Sequence, residues 1–181
     1  MNPNDNKLCM SFGVACNYEC GRNIPESTIS CFNDMDNMDV NDMTIHAAGV
    51  RDAVGMAFHP ITKEMWFTDN NKDRMGDDIP DCELNRVSYI GEDFGHPWCH
   101  SEGVGSPYLR DVGGSFLLID DDPAVANETN FTCDPNRFTV NIQALGPHTA
   151  PLGMMFYTGS MFPERYNNAV FIAEHGSWDR T

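Results

Sequence analysis

Gly55-Met56-Ala57-Phe58-His59-Pro60 runs through a polar turn into Met65-Trp66-Phe67-Thr68-Asp69-Asn70, and the same plan returns later in the chain. Gly153-Met154-Met155-Phe156-Tyr157-Thr158-Gly159 leads into Val170-Phe171-Ile172-Ala173-Glu174-His175. Each unit is a short apolar run, a turn, and a second apolar run that ends on an acid. In the first copy the turn, His59-Pro60-Ile61-Thr62-Lys63, has hairpin length and chemistry. Leu8-Cys9-Met10-Ser11-Phe12-Gly13 reads as a third copy of the second run. Strand pairs that recur with no helix between them predict the blades of a β-propeller. The second runs begin at Leu8, Met65 and Val170, steps that fit one and two blades of ~40–50 residues with insertions.

Around this frame, Thr28 to Phe32, Thr44 to Ala48 and Glu83 to Tyr89 read as further strands. Cys16 to Met43 is otherwise polar and rich in Asn, Asp and Met. Leu145 to Pro151 reads as a turn-rich approach to a strand, and residues 101–137 as an inserted loop. Phe116 to Ile119 has strand character but lacks a Gly-Met-x-Phe partner, so it does not count as a blade. No segment sustains a helical period. The expectation is an all-β chain, residues 1–181 forming one partial β-propeller domain of about three to four blades. Closed propellers typically have four to eight blades, so the chain reads as part of a larger one.

Composition narrows the partners. The formal charge is −16, from 27 acids against 11 bases, which argues against nucleic acid and anionic membrane surfaces, since both need basic patches. No run reaches the ~20 apolar residues of a membrane helix, and Met-Asn-Pro-Asn-Asp has no signal-peptide pattern. Seven cysteines, with the sequons at Asn127 and Asn130, point to an oxidising, secretory setting. The odd count leaves at least one thiol unpaired within the chain. An irregularly spaced zinc set of Cys16, Cys20, Cys31 and His46 stands as an alternative to disulfides.

Bases are scarce, so their positions matter. Arg51, Lys72, Arg74 and Arg180 all fall in loops flanking the repeated strands, and in a propeller such loops gather around the axis. A cationic cluster on an acidic chain suggests an anionic ligand; isolated surface ion pairs are the plainer alternative. Asp69, Asn70, Asn71, Asp73, Asp77 and Asp78 form an oxygen-rich loop of the kind that hard cations take, although its spacing is not that of an EF-hand and Asn/Asp loops also serve simply as turns. His148 and His175 have the chemistry of a general base, or of structural histidines. There is no nucleophile elbow, P-loop or dinucleotide fingerprint.

Several blocks resemble, in order, the soluble quinoprotein dehydrogenases that act on aldoses, sorbosone and related pyranoses. They are Gly49 to Pro60, Glu64 to Asp78 with Glu83-Leu84-Asn85-Arg86-Val87, Leu145 to Pro151 running on to Pro163, and Ala173 to Arg180. The likeness covers roughly Leu8 to Thr181 and looks closest to the sorbosone and pyranose branch. It implies a six-bladed propeller holding pyrroloquinoline quinone and calcium, a sugar or sugar-derived aldehyde as substrate, and an external electron acceptor. It places Arg51 at the quinone as catalytic residue, and Asp52, Lys72, His175, Trp178 and Arg180 beside it at the cofactor. It assigns Asp69, Asn70 and Asn71 to the calcium, partly through backbone carbonyls. Similar pairing in the family supports a Cys99–Cys133 disulfide across the inserted loop; Cys16 with Cys20 is a second pairing. The family usually has Asn where Asp52 and Asp179 stand, and Gly where Asn71 stands. Its general-base histidine lies upstream of the strand matching Leu8 to Gly13, so the chain alone is expected to be inactive. The alternative is an extracellular propeller that binds carbohydrate or protein without catalysis.

Overall fold

The computed structural model describes residues 1–14, 26–73, 76–101, 104–105, 109–111, 116–118 and 133–177. In chain order the strands are β1 (Cys9–Phe12), β2 (Thr28–Phe32), β3 (Met43–Ala48), β4 (Met56–Phe58), β5 (Met65–Asp69), β6 (Asp81–Val87) and β7 (Glu92–Asp93). They continue as β8 (Cys99–His100), β9 (Val104–Gly105), β10 (Leu109–Asp111), β11 (Phe116–Leu118), β12 (Gln143–Pro147), β13 (Pro151–Phe156) and β14 (Val170–Glu174). A 3-10 turn at Glu164–Tyr166 interrupts the last connection. The described residues contain no α-helix, and the chain is all-β.

The repeat seen in the sequence is the repeat of the fold. β4 and β5 pair antiparallel, as do β13 and β14. The two units match at the level of single hydrogen bonds: Asn70 N–H donates to Asp52 O at 3.1 Å, and His175 N–H donates to Ala150 O at 3.0 Å. One four-stranded sheet has the order β12-β6-β5-β4, a second β1-β2-β3-β7, and β13-β14 stands as a hairpin. These are strands of three blades in a partial β-propeller.

The middle blade is covered on both sides, and the alternation of β5 shows it. Met65 and Phe67 turn one way into an apolar core with Ile29, Cys31, Ala47, Val50 and Phe94; the Phe67 and Phe94 rings meet edge-on at 5.0 Å. Trp66 and Thr68 turn the other way, towards β13: Trp66 meets Phe156 at 5.8 Å, and Thr68 Oγ1 donates to Leu152 O at 2.9 Å. Successive strand residues point to opposite faces, so one five-residue strand joins three blades. Gly55 makes that approach possible. A Cβ there would lie 2.2 Å from Leu152 O and 2.7 Å from Thr68 Oγ1.

Four features depart from expectation or extend it. Gln143–Pro147 is a paired outer strand against β6, with a bulge between Ala144 and Gly146, where the sequence reads as turn. The Gly-Pro pair sits at the strand's bulged end, where a missing N–H is tolerated. Cys31 is joined to Cys9 across the β1–β2 pair, with Cα atoms 3.9 Å apart, which removes it from any zinc set. Cys99 and Cys133 are bonded, Cα atoms 5.6 Å apart. Cys16 and Cys20, like the two sequons, lie outside the described residues. Phe116–Leu118 pairs only with β10, as a separate two-stranded ribbon. No helix among the described residues is long and apolar enough to cross a membrane.

Candidate functional site

Arg51 is set by the strand that follows it. Asp69, at the end of β5, turns its carboxylate back to the preceding loop, where Oδ2 accepts the Arg51 N–H at 3.0 Å and Oδ1 the Asp52 N–H at 2.7 Å. The Arg51 guanidinium then donates to Asn70 O at 3.1 Å and to Asp73 Oδ2 at 2.9 Å. Asp69 is buried, and burial raises its carboxyl to about 6, against the pull of the two backbone amides and of Arg51. Its side chain is therefore a brace for Arg51. Both carboxylate oxygens accept backbone amides of the preceding loop.

Asn70 and Asn71 follow, and their side chains go in different directions. Asn70 Nδ2 donates to Asp52 O at 3.3 Å and to Pro151 O at 3.2 Å, bridging two blades. Its Oδ1 is buried with no protein partner. Asn71 turns inward, where Nδ2 donates to Asp81 O and to Glu83 Oε1, each at 3.0 Å. Its Oδ1 accepts from Lys72 N–H at 3.0 Å and from His100 Nδ1 at 2.6 Å. The carboxamide is fully used, so what Asn71 has left for a neighbouring ligand is main chain. Asn85 Nδ2 completes the set on Glu83 Oε2 at 2.8 Å. Burial, then the charge of Asp69, pushes the Glu83 carboxyl up to about 8. Burial, then Lys72 and Arg51, pushes His100 down to about 3, so it is neutral.

These loops open on a cleft of about 390 Å³ between the middle blade and the β13–β14 hairpin. Arg51, Asp52, Asn70, Asn71 and Asp73 line one side, and His148, Ala150, Leu152, His175, Gly176 and Ser177 the other, with Cys82 between. Two non-glycine residues of that second wall hold left-handed backbone, His148 at φ 57° and Ala150 at φ 48°, strain of a kind that clusters at binding and active sites. His148 Nε2 donates to Gly76 O at 2.7 Å; His175 is exposed.

Seven residues singled out in the sequence thus meet: Arg51, Asp52, Asn70, Asn71, Asp73, His148 and His175. Lys72 does not join them. It is buried, away from the lining, close enough for its charge to depress His100. Arg74, Trp178, Asp179 and Arg180 lie outside the described residues. Sequence reasoning missed Glu83, Asn85 and His100 because a strand reading Asp-Cys-Glu-Leu-Asn-Arg-Val looks solvated, yet Cys82 to Asn85 are buried. It also missed Cys82, an isolated cysteine with no spacing signal.

A family model described as TrAA12-like matches residues 2–181. The chain belongs to the TrAA12-like family. Its fold is similar to the iodide structure of Trichoderma reesei Carbohydrate-Active Enzymes family AA12, with TM-score 0.70 and 26% identity over 97% of this chain and 47% of that one. The calcium structure of the same protein gives TM-score 0.68. The holo form of the pyranose dehydrogenase PQQ domain from Coprinopsis cinerea shares the fold at TM-score 0.66 and 20% identity, again over 97% of this chain and 46% of that one. An uncharacterized protein of Borreliella burgdorferi is 35% identical over 150 residues, 80% of this chain and 33% of that protein. The chain spans about half the length of the TrAA12-like structures it matches.

Proposed function

We propose that the cleft is the cofactor half-site of a quinoprotein oxidoreductase of the sorbosone and pyranose branch, holding pyrroloquinoline quinone and calcium. A sugar or sugar-derived aldehyde is the substrate, and an external acceptor takes the electrons. The observation that carries this reading is Asn70. It is 8% exposed, it lines the cleft, and its Oδ1 has no protein partner while both amide hydrogens are committed to carbonyls. A buried oxygen left so is costly unless a ligand satisfies it, and amide oxygen is what calcium accepts.

The residues present fit the group. Arg51 offers the cleft a fixed positive charge for a carboxylate or a quinone oxygen. Asp52 and Asp73 add two negative charges to the same lining, so a divalent cation offsets what would otherwise repel a tricarboxylate. Asn70 Oδ1 and the main chain of Asn71 are the donors for that cation. Pyrroloquinoline quinone, when bound, supplies a two-electron acceptor for the hydride of a substrate carbon. Asp69 keeps the Arg51 backbone in place, Asp73 orients its guanidinium, and Gly55 lets the two walls close together. His175 is the exposed imidazole that closes the cofactor face on the second wall, whereas His148 is pinned by Gly76. Two disulfides among the described residues support a secreted location.

The test is a titration with pyrroloquinoline quinone, with and without calcium, read by quenching of intrinsic fluorescence. Binding should need calcium and weaken at least about tenfold in Arg51→Ala, a loss of ~1.4 kcal/mol. The same dependence is expected in a longer protein carrying a full propeller, together with dye-linked sugar oxidation. A longer protein that binds no quinone under either condition overturns the enzyme reading and leaves a non-catalytic propeller that binds carbohydrate or protein.

A further inference from the structure

Behind the cleft, His100 presents a second unsatisfied group. Its ring is 5% exposed, and Nε2 is buried without a protein partner. The tautomer follows from Asn71. That side chain gives both amide hydrogens to Asp81 O and Glu83 Oε1, so the atom facing His100 is its oxygen, and His100 Nδ1 must donate. Nε2 therefore carries a lone pair inside the protein.

The ring forms part of the wall of a small cavity of about 20 Å³, shared with Glu83, Ser101, Thr139 and Asn141. Apolar groups, Phe94, Phe138 and the Cys99–Cys133 disulfide, line its inner side, and Pro135 and Val140 its outer rim. A space of ~10–15 Å³ is enough for one water when two to four polar groups face it. Ser101 Oγ donates to Asn141 Oδ1 at 3.3 Å, which leaves its own lone pairs for an incoming O–H.

We propose that this cavity is a binding site for one water molecule, which donates to His100 Nε2 and to Ser101 Oγ. The water joins the His100 and Ser101 side chains beside Cys99, and His100 Nδ1 in turn holds the strand-end loop at Asn71. It stands independently of any cofactor in the cleft.

A crystal structure at about 1.5 Å resolution should show a full-occupancy water within hydrogen-bond distance (~3.2 Å) of His100 Nε2. A dry cavity, xenon occupying it under pressure, or a protein side chain on Nε2 would overturn the proposal. Ser101→Val gives a second crystallographic readout: the added methyls should displace the water from His100 Nε2, whereas a water that stays there undisturbed does not depend on Ser101 and overturns the proposal.

Discussion

At the scale of single residues, the site is a set of side chains that hold one another rather than a set that faces outward. Asp69 is the clearest case. Its two oxygens serve the Arg51 and Asp52 amides, so Asp69→Ala strands two part-buried donors. The expected cost is on the order of 2–4 kcal/mol, read as a lower urea midpoint, with the Arg51 loop losing protection against amide exchange. An unchanged midpoint would mean the brace carries nothing. Glu83 gives a pH signature. It keeps its proton in the folded chain to about 8 but loses it near 4.5 when unfolded. Across that window the unfolded state binds fewer protons, so stability falls as pH rises. Unfolding free energies measured at several pH values should show that decline, and Glu83→Gln should flatten it; equal slopes would assign the decline to another group.

At the scale of elements, the strands that were legible are those that carry a short unbroken apolar run ending on an acid. β5 and β14 were visible because Met-Trp-Phe and Val-Phe-Ile admit no other local reading. β12 was not, because Gly146 and Pro147 carry turn chemistry and only pairing with β6 makes them a strand end. The Cys9–Cys31 bond was invisible for a related reason: it depends on the β1–β2 register, which no spacing rule contains. The cleft residues were legible through the repeat, since loops after equivalent strands must gather in one place. The direction each side chain takes was not: Lys72 is buried and not among the cleft's lining residues, and the Asp69 carboxylate turns back to the Arg51 and Asp52 amides. Gly55 tests the seam between blades. Gly55→Ala puts a methyl into backbone at 2.2 Å, and the penalty should sit at the upper end of the ~1–3 kcal/mol typical of overpacking. A thermal midpoint matching wild type would show that the hairpin is not held as described.

At the scale of the whole molecule, the two sides of the β13–β14 hairpin differ. One is packed through Phe156 and Leu152; Met155 and Phe171 on β13 and β14 are 59% and 39% exposed. Breaking the Cys9–Cys31 link, by Cys9→Ser with Cys31→Ser, should lower stability by about 3 kcal/mol through the closed loop alone, with the cleft residues unchanged in structure. If the double variant instead loses cofactor binding in the titration above, the first blade shapes the site directly. The bridges from Asn70 Nδ2 to Pro151 O and from Thr68 Oγ1 to Leu152 O join partners 81 and 84 residues apart. Contacts that distant repay their closure entropy only after the local hairpins exist. In time rather than in space, then, the cleft comes after the hairpins that line it. β4 and β5 become a hairpin early, but the second wall arrives more than eighty residues later in synthesis. During refolding, the fluorescence change of Trp66, which packs on Phe156 across the seam, should trail the gain of protection at the β4–β5 amides, so competence to hold a ligand there follows the docking of finished hairpins.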